Sequence, residues 1–379
     1  MEQFKVIIVG WYGNRNLGDD ALMLANFEVM KKVYEPGEIA FVCKPDTYLS
    51  RIIPGAQVIP HDPHRRLKGE ILVYGGGTQF YSFPLTRERN SFLMKLKAIS
   101  SPRGMFLYLH DKVMPAKWVF EKRIALGIGV GPFVRDSKEE TYASKLFKEL
   151  DCVSVRDPAS YGLCAKWGVE RLTLGSDLCY MKELWGMPEI HGNSKEINKN
   201  NIGIIIRDWP HTIDGARFVG PLLEAAAALS SEGFGVTFIS LCPASDEQWL
   251  EILKTTDYEV MTWDPSAHSV GEFVKSLARF AIIVTARYHG AVLASTIGIP
   301  VVTIDIEQKL SLVSGILSDQ RYSWHPPFDA IVLCRLVKDI VNSYQQVKTV
   351  IDSAVYAQRC KVAEMLKELY FIMQTNVES

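Results

Sequence analysis

Short apolar runs typical of β-strands alternate with helical segments along almost the whole chain, and this alternation constrains the fold most strongly. The strand-like runs of the first half lie at 5–9, 39–43, 56–59, 71–74, 124–128, 152–155 and 172–174. Those of the second half lie at 201–207, 235–240, 259–262, 281–285 and 301–305. Strands separated by helices predict parallel sheets built from βαβ units.

A polar connector at 189–201 divides this alternation into two rounds, and after Pro327 only the helical pattern continues. A chain of 379 residues also exceeds one typical core. We therefore predict an N-terminal Rossmann-like domain at 1–188, a second one at 201–325, and helices at 326–379 that could cross back to the first domain. The predicted class is α/β, with two Rossmann-like domains facing a cleft in a glycosyltransferase-B-like architecture.

The charge distribution argues against a nucleic-acid partner. The formal net charge is −1, so no field that attracts polyanions surrounds the whole molecule. The stretch 65–123 differs, because it holds twelve Lys or Arg against four Asp or Glu, together with several aromatic residues. A solvated basic face over core aromatics is the favoured interpretation. The alternative is a surface for an anionic or membrane-held acceptor, with peripheral contact to the membrane.

Cysteine usage and hydropathy indicate the compartment. Seven cysteines without a CxxC pair predict buried free thiols in a reducing environment. The sequence has no metal-ligand spacing, so no metal is predicted. It also shows neither a signal peptide nor an apolar run of about 20 residues. We therefore predict a cytoplasmic protein that is at most peripheral to the inner face of the membrane.

The stretch Arg287-Tyr288-His289-Gly290 lies where a strand turns into a helix. The strand is the apolar run 281–285, and the helix is the small-residue segment 290–297. Open α/β sheets bind ligands at the carboxyl ends of their strands, and helix amino termini attract anions. Arg287 and His289 therefore predict an anion site with a titratable group beside it.

Two further cations are predicted at the same sheet edge. Arg207 ends the apolar run 202–206, and Lys309 follows the run 301–305. A buried arginine needs an anionic partner, which could be a ligand, Asp208 or another structural acid. Together with Arg287 and His289, these residues favour a small and highly charged anion.

The first half carries glycine-rich segments after two strands. The loop from Gly10 to Asp20, which includes Asn16 and Asp19, follows the first strand and lacks the dinucleotide-binding spacing. Two aspartates would repel a phosphate, so we interpret the loop as an acceptor contact, with helix capping by an aspartate as the structural alternative. Gly75, Gly76 and Gly77 close the run 71–74 and favour either close approach to a ligand or a tight turn.

Arg156 and Asp177 also follow strand-like runs in the first half. Arg156 could serve the cleft or pair with a nearby acid, whereas Asp157 before Pro158 is typical of a helix N-cap. Asp177 is a candidate to hydrogen bond a sugar hydroxyl.

These motifs, in this order, resemble the polysaccharide pyruvyltransferase family. The resemblance rests on Gly13 to Asp19, the glycine triplet at Gly75, the segments 129–132 and 154–157, the strand that ends at Arg207, and 287–290. It covers the chain from the first loop to about Lys309. Tyr288 departs from the leucine that many members carry. The resemblance implies a transferase that moves pyruvate from phosphoenolpyruvate onto a sugar as a ketal, in the synthesis of a cell-envelope polysaccharide.

In this chemistry the donor's carboxylate and phosphate explain the gathering of Arg207, Arg287 and Lys309. His289 is the candidate general acid or base, and Asp177 or Asp19 would orient the acceptor. The resemblance implies no cofactor beyond phosphoenolpyruvate as donor, and a sugar or lipid-linked saccharide as acceptor. We predict that the first domain is the acceptor side and the second domain the phosphoenolpyruvate side. The alternatives are a sugar-nucleotide glycosyltransferase of the same fold and a non-catalytic carbohydrate-binding protein.

Overall fold

The computed structural model describes residues 2–62, 65–82, 118–185, 199–212 and 214–374. Most of the predicted connector at 189–201 and most of the basic stretch 65–123 lie outside these residues. The chain divides into two compact units, one formed by residues 1–13 and 26–175 and the other by residues 14–25 and 176–379. The domain bounds and the return of the C-terminal helices to the first domain stay predictions.

The first unit is built on a seven-stranded sheet in which all strands run parallel, in the order β3-β2-β1-β4-β5-β6-β7. The strands are β1 (Glu2–Val9), β2 (Ile39–Val42), β3 (Gln57–Ile59), β4 (Leu67–Phe80), β5 (Trp118–Val130), β6 (Cys152–Val155) and β7 (Leu172–Leu174). The described helices of this part of the chain are α1 (Leu17–Met30), α2 (Leu49–Ile52), α3 (Lys138–Lys148) and α4 (Pro158–Trp167).

The second unit contains a six-stranded parallel sheet in the order β10-β9-β8-β11-β12-β13. Its strands are β8 (Asn201–Ile205), β9 (Gly235–Ser240), β10 (Glu259–Thr262), β11 (Ile282–Thr285), β12 (Val301–Ile304) and β13 (Ser323–Trp324). Its helices are α5 (Asp214–Arg217), α6 (Val219–Ser231), α7 (Glu247–Leu253), α8 (Val270–Ser276), α9 (Tyr288–Thr296), α10 (Gln308–Ser318), α11 (Ala330–Asn342) and α12 (Tyr344–Gln374).

Apolar burial explains why these strands form. The inner residues of β1, β2, β6, β8, β11 and β12 are buried on both faces, as expected when helices cover both sides of a parallel sheet.

Among the described residues, no helix is long and apolar enough to cross a membrane.

The strand order reverses direction once in each sheet. In the second unit β8 and β11 are neighbours, while the chain leaves β8 towards β9 on one side and leaves β11 towards β12 on the other. In the first unit β1 and β4 are the corresponding neighbours. Ligands of open α/β sheets bind outside the carboxyl ends of the strands at this reversal. The reversal between β8 and β11 therefore marks the place where a site is expected in the second unit.

The glycine triplet does not close a strand, which corrects the sequence prediction. β4 continues through Gly75, Gly76 and Gly77 to Phe80 and stays paired with β5, with a shift of register between Thr78 and Phe80. A Cβ on Gly75 would lie 2.7 Å from Ile8 Cγ2. The absence of a side chain at Gly75 thus serves close packing inside the sheet, so the tight-turn alternative is wrong.

Candidate functional site

Parallel register brings the predicted cations of the second unit to one edge. The last residues of β8 and β11 are aligned as Ile205 and Thr285, and Thr285 is in turn aligned with Thr303 of β12. Arg207 follows β8 and Arg287 follows β11, so the two arginines flank the reversal of strand order. Lys309 lies in the first turn of α10, just after β12.

Arg287 is held by the protein itself. Its guanidinium pairs with Asp246, which is fully buried, and its Nε donates to the carbonyl of Ile206 at 3.1 Å. Asp246 also accepts from the hydroxyl of Ser240 at 2.7 Å. The backbone N–H of Arg287 donates to Thr285 Oγ1 at 3.0 Å. These contacts hold both the guanidinium and the backbone of Arg287 in place.

Arg207 and Lys309 share one carboxylate. Arg207 forms an ion pair with Glu307, and Lys309 Nζ lies 3.4 Å from the same Glu307 oxygen. The guanidinium also stacks 4.1 Å from the ring centroid of Trp209, a cation–π contact. Burial acts to raise the pKa of Glu307, but the charges of Arg207 and Lys309 outweigh it and hold that pKa below its ordinary value. Glu307 is the structural acid that the sequence prediction left unidentified.

His289 differs from the rest of its helix in burial. Every residue of α9, which is described in full, is buried except His289. The imidazole Nε2 lies 3.5 Å from Asp177 Oδ2, and the Asp177 side chain is fully buried. Asp177 also caps the 3-10 helix Leu178–Tyr180 by accepting from the backbone N–H of Cys179 at 3.0 Å. The structure thus brings His289 and Asp177 together, two residues that the sequence had placed in separate motifs.

The start of α1 packs against the same imidazole. A Cβ built on Gly18 would lie 2.4 Å from His289 Nδ1, so the backbone of Gly18 approaches the ring directly. Asn16, which precedes the helix, accepts from the Gly18 N–H at 3.2 Å and donates to Asp19 at 2.7 Å. Asn16, rather than an aspartate, therefore caps α1. The neighbouring Asp20 is buried and accepts from the indole of Trp263 at 2.9 Å.

Arg156 and the glycine triplet belong to the first unit. The guanidinium of Arg156 is buried, donates to Thr78 Oγ1 at 2.9 Å and lies 3.9 Å from Asp157. Asp157 caps α4 by accepting from the N–H of Ser160 at 2.8 Å, which confirms the predicted cap. Of the two alternatives predicted for Arg156, the nearby acid is present, and it is Asp157, the next residue in the chain.

Comparison with known families decides the assignment. The sequence pattern of the family described as "Polysaccharide pyruvyl transferase" matches residues 16–308. The chain belongs to the polysaccharide pyruvyl transferase family. The matched segment begins at Asn16 and includes every predicted site residue except Lys309, which lies one residue beyond it. The family resemblance inferred from the motifs is thereby confirmed. No curated protein matches the sequence.

Several solved structures have a similar architecture over nearly their whole length. HepE from Anabaena in complex with UDP and glucose has a TM-score of 0.55 at 11% identity, covering 98% of this chain and 99% of that one. S. aureus MnaA with UDP has a TM-score of 0.58 at 11% identity, covering 98% and 97%. A putative UDP-N-acetylglucosamine 2-epimerase from Listeria monocytogenes has a TM-score of 0.57 at 11% identity, covering 99% and 98%. At such identity these likenesses establish the fold alone, and they confirm the glycosyltransferase-B-like class.

In this pyruvyl transferase family member, two acids at the carboxyl edge of the second sheet were not predicted from the sequence. Asp246 and Glu307 were not singled out, although each pairs with a predicted arginine. A second polar cluster was also missed, in which His325 Nδ1 lies 2.8 Å from Asp305 and Ser311 donates to the same carboxylate. Asp305 directly follows β12 and His325 directly follows β13. The position of Asp305 at the end of the predicted strand 301–305 was the available signal, whereas the strand before His325 was not predicted.

Proposed function

We propose that the protein transfers the pyruvyl group of phosphoenolpyruvate to a sugar of a cell-surface polysaccharide or its lipid-linked precursor, forming a ketal. The proposal rests mainly on the first turn of α9. Arg287 precedes this turn, and His289 lies within it, with its Nε2 atom 3.5 Å from Oδ2 of the buried Asp177. A helix amino terminus and a fixed guanidinium favour a carboxylate or phosphate, and the imidazole supplies a proton beside them.

The chemistry needs one proton donor and a cationic edge. His289 gives a proton to the methylene carbon of phosphoenolpyruvate, and the central carbon gains oxocarbenium character. A sugar hydroxyl attacks that carbon and releases its proton back to the imidazole. The bond from this carbon to the phosphate oxygen then breaks, and a second hydroxyl of the sugar closes the ketal while its proton leaves with the phosphate.

The surrounding residues have distinct parts in this scheme. Arg287, Arg207 and Lys309 offset the charge of the donor and of the departing phosphate. Asp177 stabilises the protonated imidazole through its nearby carboxylate. Because Asp246 and Glu307 already hold the arginines, the guanidinium groups are oriented before the donor arrives, and little ordering of these side chains remains to be done on binding.

Transfer of label from phosphoenolpyruvate carrying carbon-14 in its pyruvyl carbons tests the proposal. Oligosaccharides of galactose, mannose and N-acetylhexosamine with neighbouring free hydroxyls serve as acceptors. We expect the unsubstituted protein to form a labelled, acid-labile ketal. His289→Ala should lower the rate of transfer by about 10²–10⁴-fold, the typical contribution of a positioned proton donor. His268→Ala, an exposed histidine elsewhere in the second unit, is the matched control. If His289→Ala folds and turns over nearly as fast as the unsubstituted protein, His289 is not the proton donor.

A further inference from the structure

Three side chains with different ligand chemistry converge beside α9. Asp177, Cys179 and His289 each offer one ligand atom, and these atoms all lie within 4.8 Å of one another. Asp177 and Cys179 are fully buried, and the side chain of His289 is 14% exposed. The three residues were not predicted as a ligand set from the sequence, because they lie on two segments far apart along the chain.

The distance between two of these atoms fits a shared tetrahedral ion. His289 Nε2 and Asp177 Oδ2 are 3.5 Å apart. Zinc bonds of about 2.0–2.2 Å to nitrogen and oxygen, at a tetrahedral angle, separate such ligands by about 3.4 Å. The other Asp177 oxygen accepts from the N–H of Cys179 at 3.0 Å, and a supporting bond of this kind orients a ligating carboxylate.

The imidazole supplies an independent observation. His289 Nε2 is buried and makes no hydrogen bond within the part of the chain that the structure describes. Its distance to Asp177 exceeds the usual hydrogen-bond range of about 2.7–3.2 Å. Buried polar atoms without a partner are uncommon, and a neutral imidazole nitrogen is the commonest metal ligand. The orphaned nitrogen faces the carboxylate with room for a bond from each to one ion.

We propose that Asp177, Cys179 and His289 bind a zinc ion, with water at the fourth position. A thiolate, a carboxylate and a neutral imidazole carry two negative charges, so a divalent ion makes the buried cluster neutral. The thiolate and imidazole favour zinc over magnesium or calcium, which prefer oxygen ligands. Binding releases the thiol proton of Cys179 to solvent.

The site shares His289 with the proposed proton transfer, so its consequence for activity rests on the proposed function. An imidazole whose Nε2 lone pair is bound to zinc cannot become an imidazolium. Bound zinc therefore inhibits pyruvyl transfer, and its removal by a chelator restores the activity.

Binding of cobalt(II) can be measured at this site without a sugar acceptor and without turnover. The chelator-treated full chain is titrated with cobalt, the thiolate-to-cobalt charge-transfer absorption is followed, and zinc is then added to displace the cobalt. We use a Cys360→Ser parent, because Cys360 is exposed. We expect one ion per chain in this parent. Cys179→Ser should lose the absorption and bind at least about tenfold more weakly. Cys334→Ser, which alters a buried cysteine elsewhere in the second unit, should behave as the parent.

Two results would overturn the zinc site. One is a folded parent that shows no stoichiometric cobalt absorption, and the other is an unchanged absorption in Cys179→Ser. Circular dichroism checks the fold of each variant, and Cys179→Ala replaces the serine variant should that one unfold. Phosphoenolpyruvate binding is measured on the same metal-free samples. Donor binding without cobalt absorption refutes only the zinc site, and cobalt absorption without donor binding counts only against the proposed function.

Discussion

The imidazole of His289 is positioned by a residue that has no side chain. Gly18, in the first turn of α1, lies so close that an added Cβ would stand 2.4 Å from Nδ1 and 2.7 Å from the imidazole-bearing Cβ of His289. The Cβ of His289 is tied to the backbone and cannot rotate away. The position of the ring therefore depends on glycine at residue 18.

Gly18→Ala is expected to shift His289 and to reduce pyruvyl transfer by at least about tenfold, since small misplacements of a catalytic group are costly. Overpacking should also lower the free energy of unfolding by about 1–3 kcal/mol. Labelled-pyruvyl transfer and urea unfolding measure the two effects. Gly220→Ala is the control, because a Cβ there meets no atom within 4 Å. Equal activity of the two variants would contradict this role of Gly18.

Glu307 ties two cations to the sheet edge, and its titration makes their contribution depend on pH. Its pKa is lowered from the ordinary value of 4.5, since Arg207 and Lys309 outweigh the effect of burial. A carboxyl group with a depressed folded-state pKa stabilises the protein above its unfolded pKa. That stability is lost as the pH falls through the folded pKa.

Glu307→Gln is expected to lower the free energy of unfolding by roughly 3 kcal/mol at pH 7, because it leaves a nearly buried guanidinium without its carboxylate. The difference from the parent should be complete above pH 4.5 and should shrink below it, because Glu307 of the unfolded parent then gains a proton. The difference should be lost as the pH falls through the lower pKa of folded Glu307. Urea unfolding at a series of pH values measures this. Glu251→Gln alters an exposed pair with Lys254 and should cost at most about 0.5 kcal/mol. A difference independent of pH would refute the role of Glu307.

At the residue scale the sequence predicted the cations and missed their partners. Arg207 and Arg287 are visible because each follows an apolar strand. Asp246 and Glu307 lie in loops, where an acid has many ordinary uses, so only the folded chain shows which acid meets which arginine. The contact of Asp177 with His289 likewise depends on the return of distant segments to one place.

Among the helices of the second unit, α9 carries His289 and is buried along almost its whole length. Its nine residues run from the sheet edge into the interior, and all but His289 are buried. Buried helix ends need partners for their last carbonyl groups. Arg359 of α12 donates to the carbonyl of Thr296, the last residue of α9, at 2.9 Å. Lys348 of α12 donates at 3.3 Å to the carbonyl of Gly298, two residues beyond α9. The long C-terminal helix thus caps the helix that carries the site.

Arg359→Met is expected to lower the free energy of unfolding by about 1–3 kcal/mol, because it removes a charged donor from a partly buried carbonyl. Phosphoenolpyruvate affinity should change little at temperatures where the variant stays folded, since the site lies at the other end of α9. Thermal and urea unfolding check the first effect and calorimetry the second. Lys367→Met on the exposed face of α12 is the control. Equal stability of the two variants would refute the capping role.

At the element scale the alternating pattern predicted most elements, and all predicted strands are present. Among the described elements, α2, α10 and β13 were missed, and α2 has only four residues. The helix α10 contains Gly315 and several serines, which weaken its pattern. The strand β13 has only two residues, Ser323 and Trp324, too few to give a periodic signal.

At the scale of the whole molecule, each unit is a doubly wound parallel sheet, and the second unit concentrates the predicted chemistry. Arg207 and Arg287 flank its reversal of strand order, the place where such sheets bind ligands. Residues 14–25 group with this unit by their contacts. The sequence could not show this grouping, because it depends on contacts such as that of Leu17 N–H with the Leu241 carbonyl at 2.9 Å.

Donor binding distinguishes a pyruvyl transferase from a sugar-nucleotide enzyme. Isothermal titration of the full chain with phosphoenolpyruvate runs beside titrations with UDP and GDP. We predict one phosphoenolpyruvate site, at least about tenfold weaker in Arg287→Lys, because an ammonium group cannot reproduce a bidentate guanidinium contact. Arg279→Lys, at an exposed ion pair with Glu259, should bind as the parent does. Binding of UDP or GDP by a protein that ignores phosphoenolpyruvate would contradict the account and indicate a sugar-nucleotide enzyme.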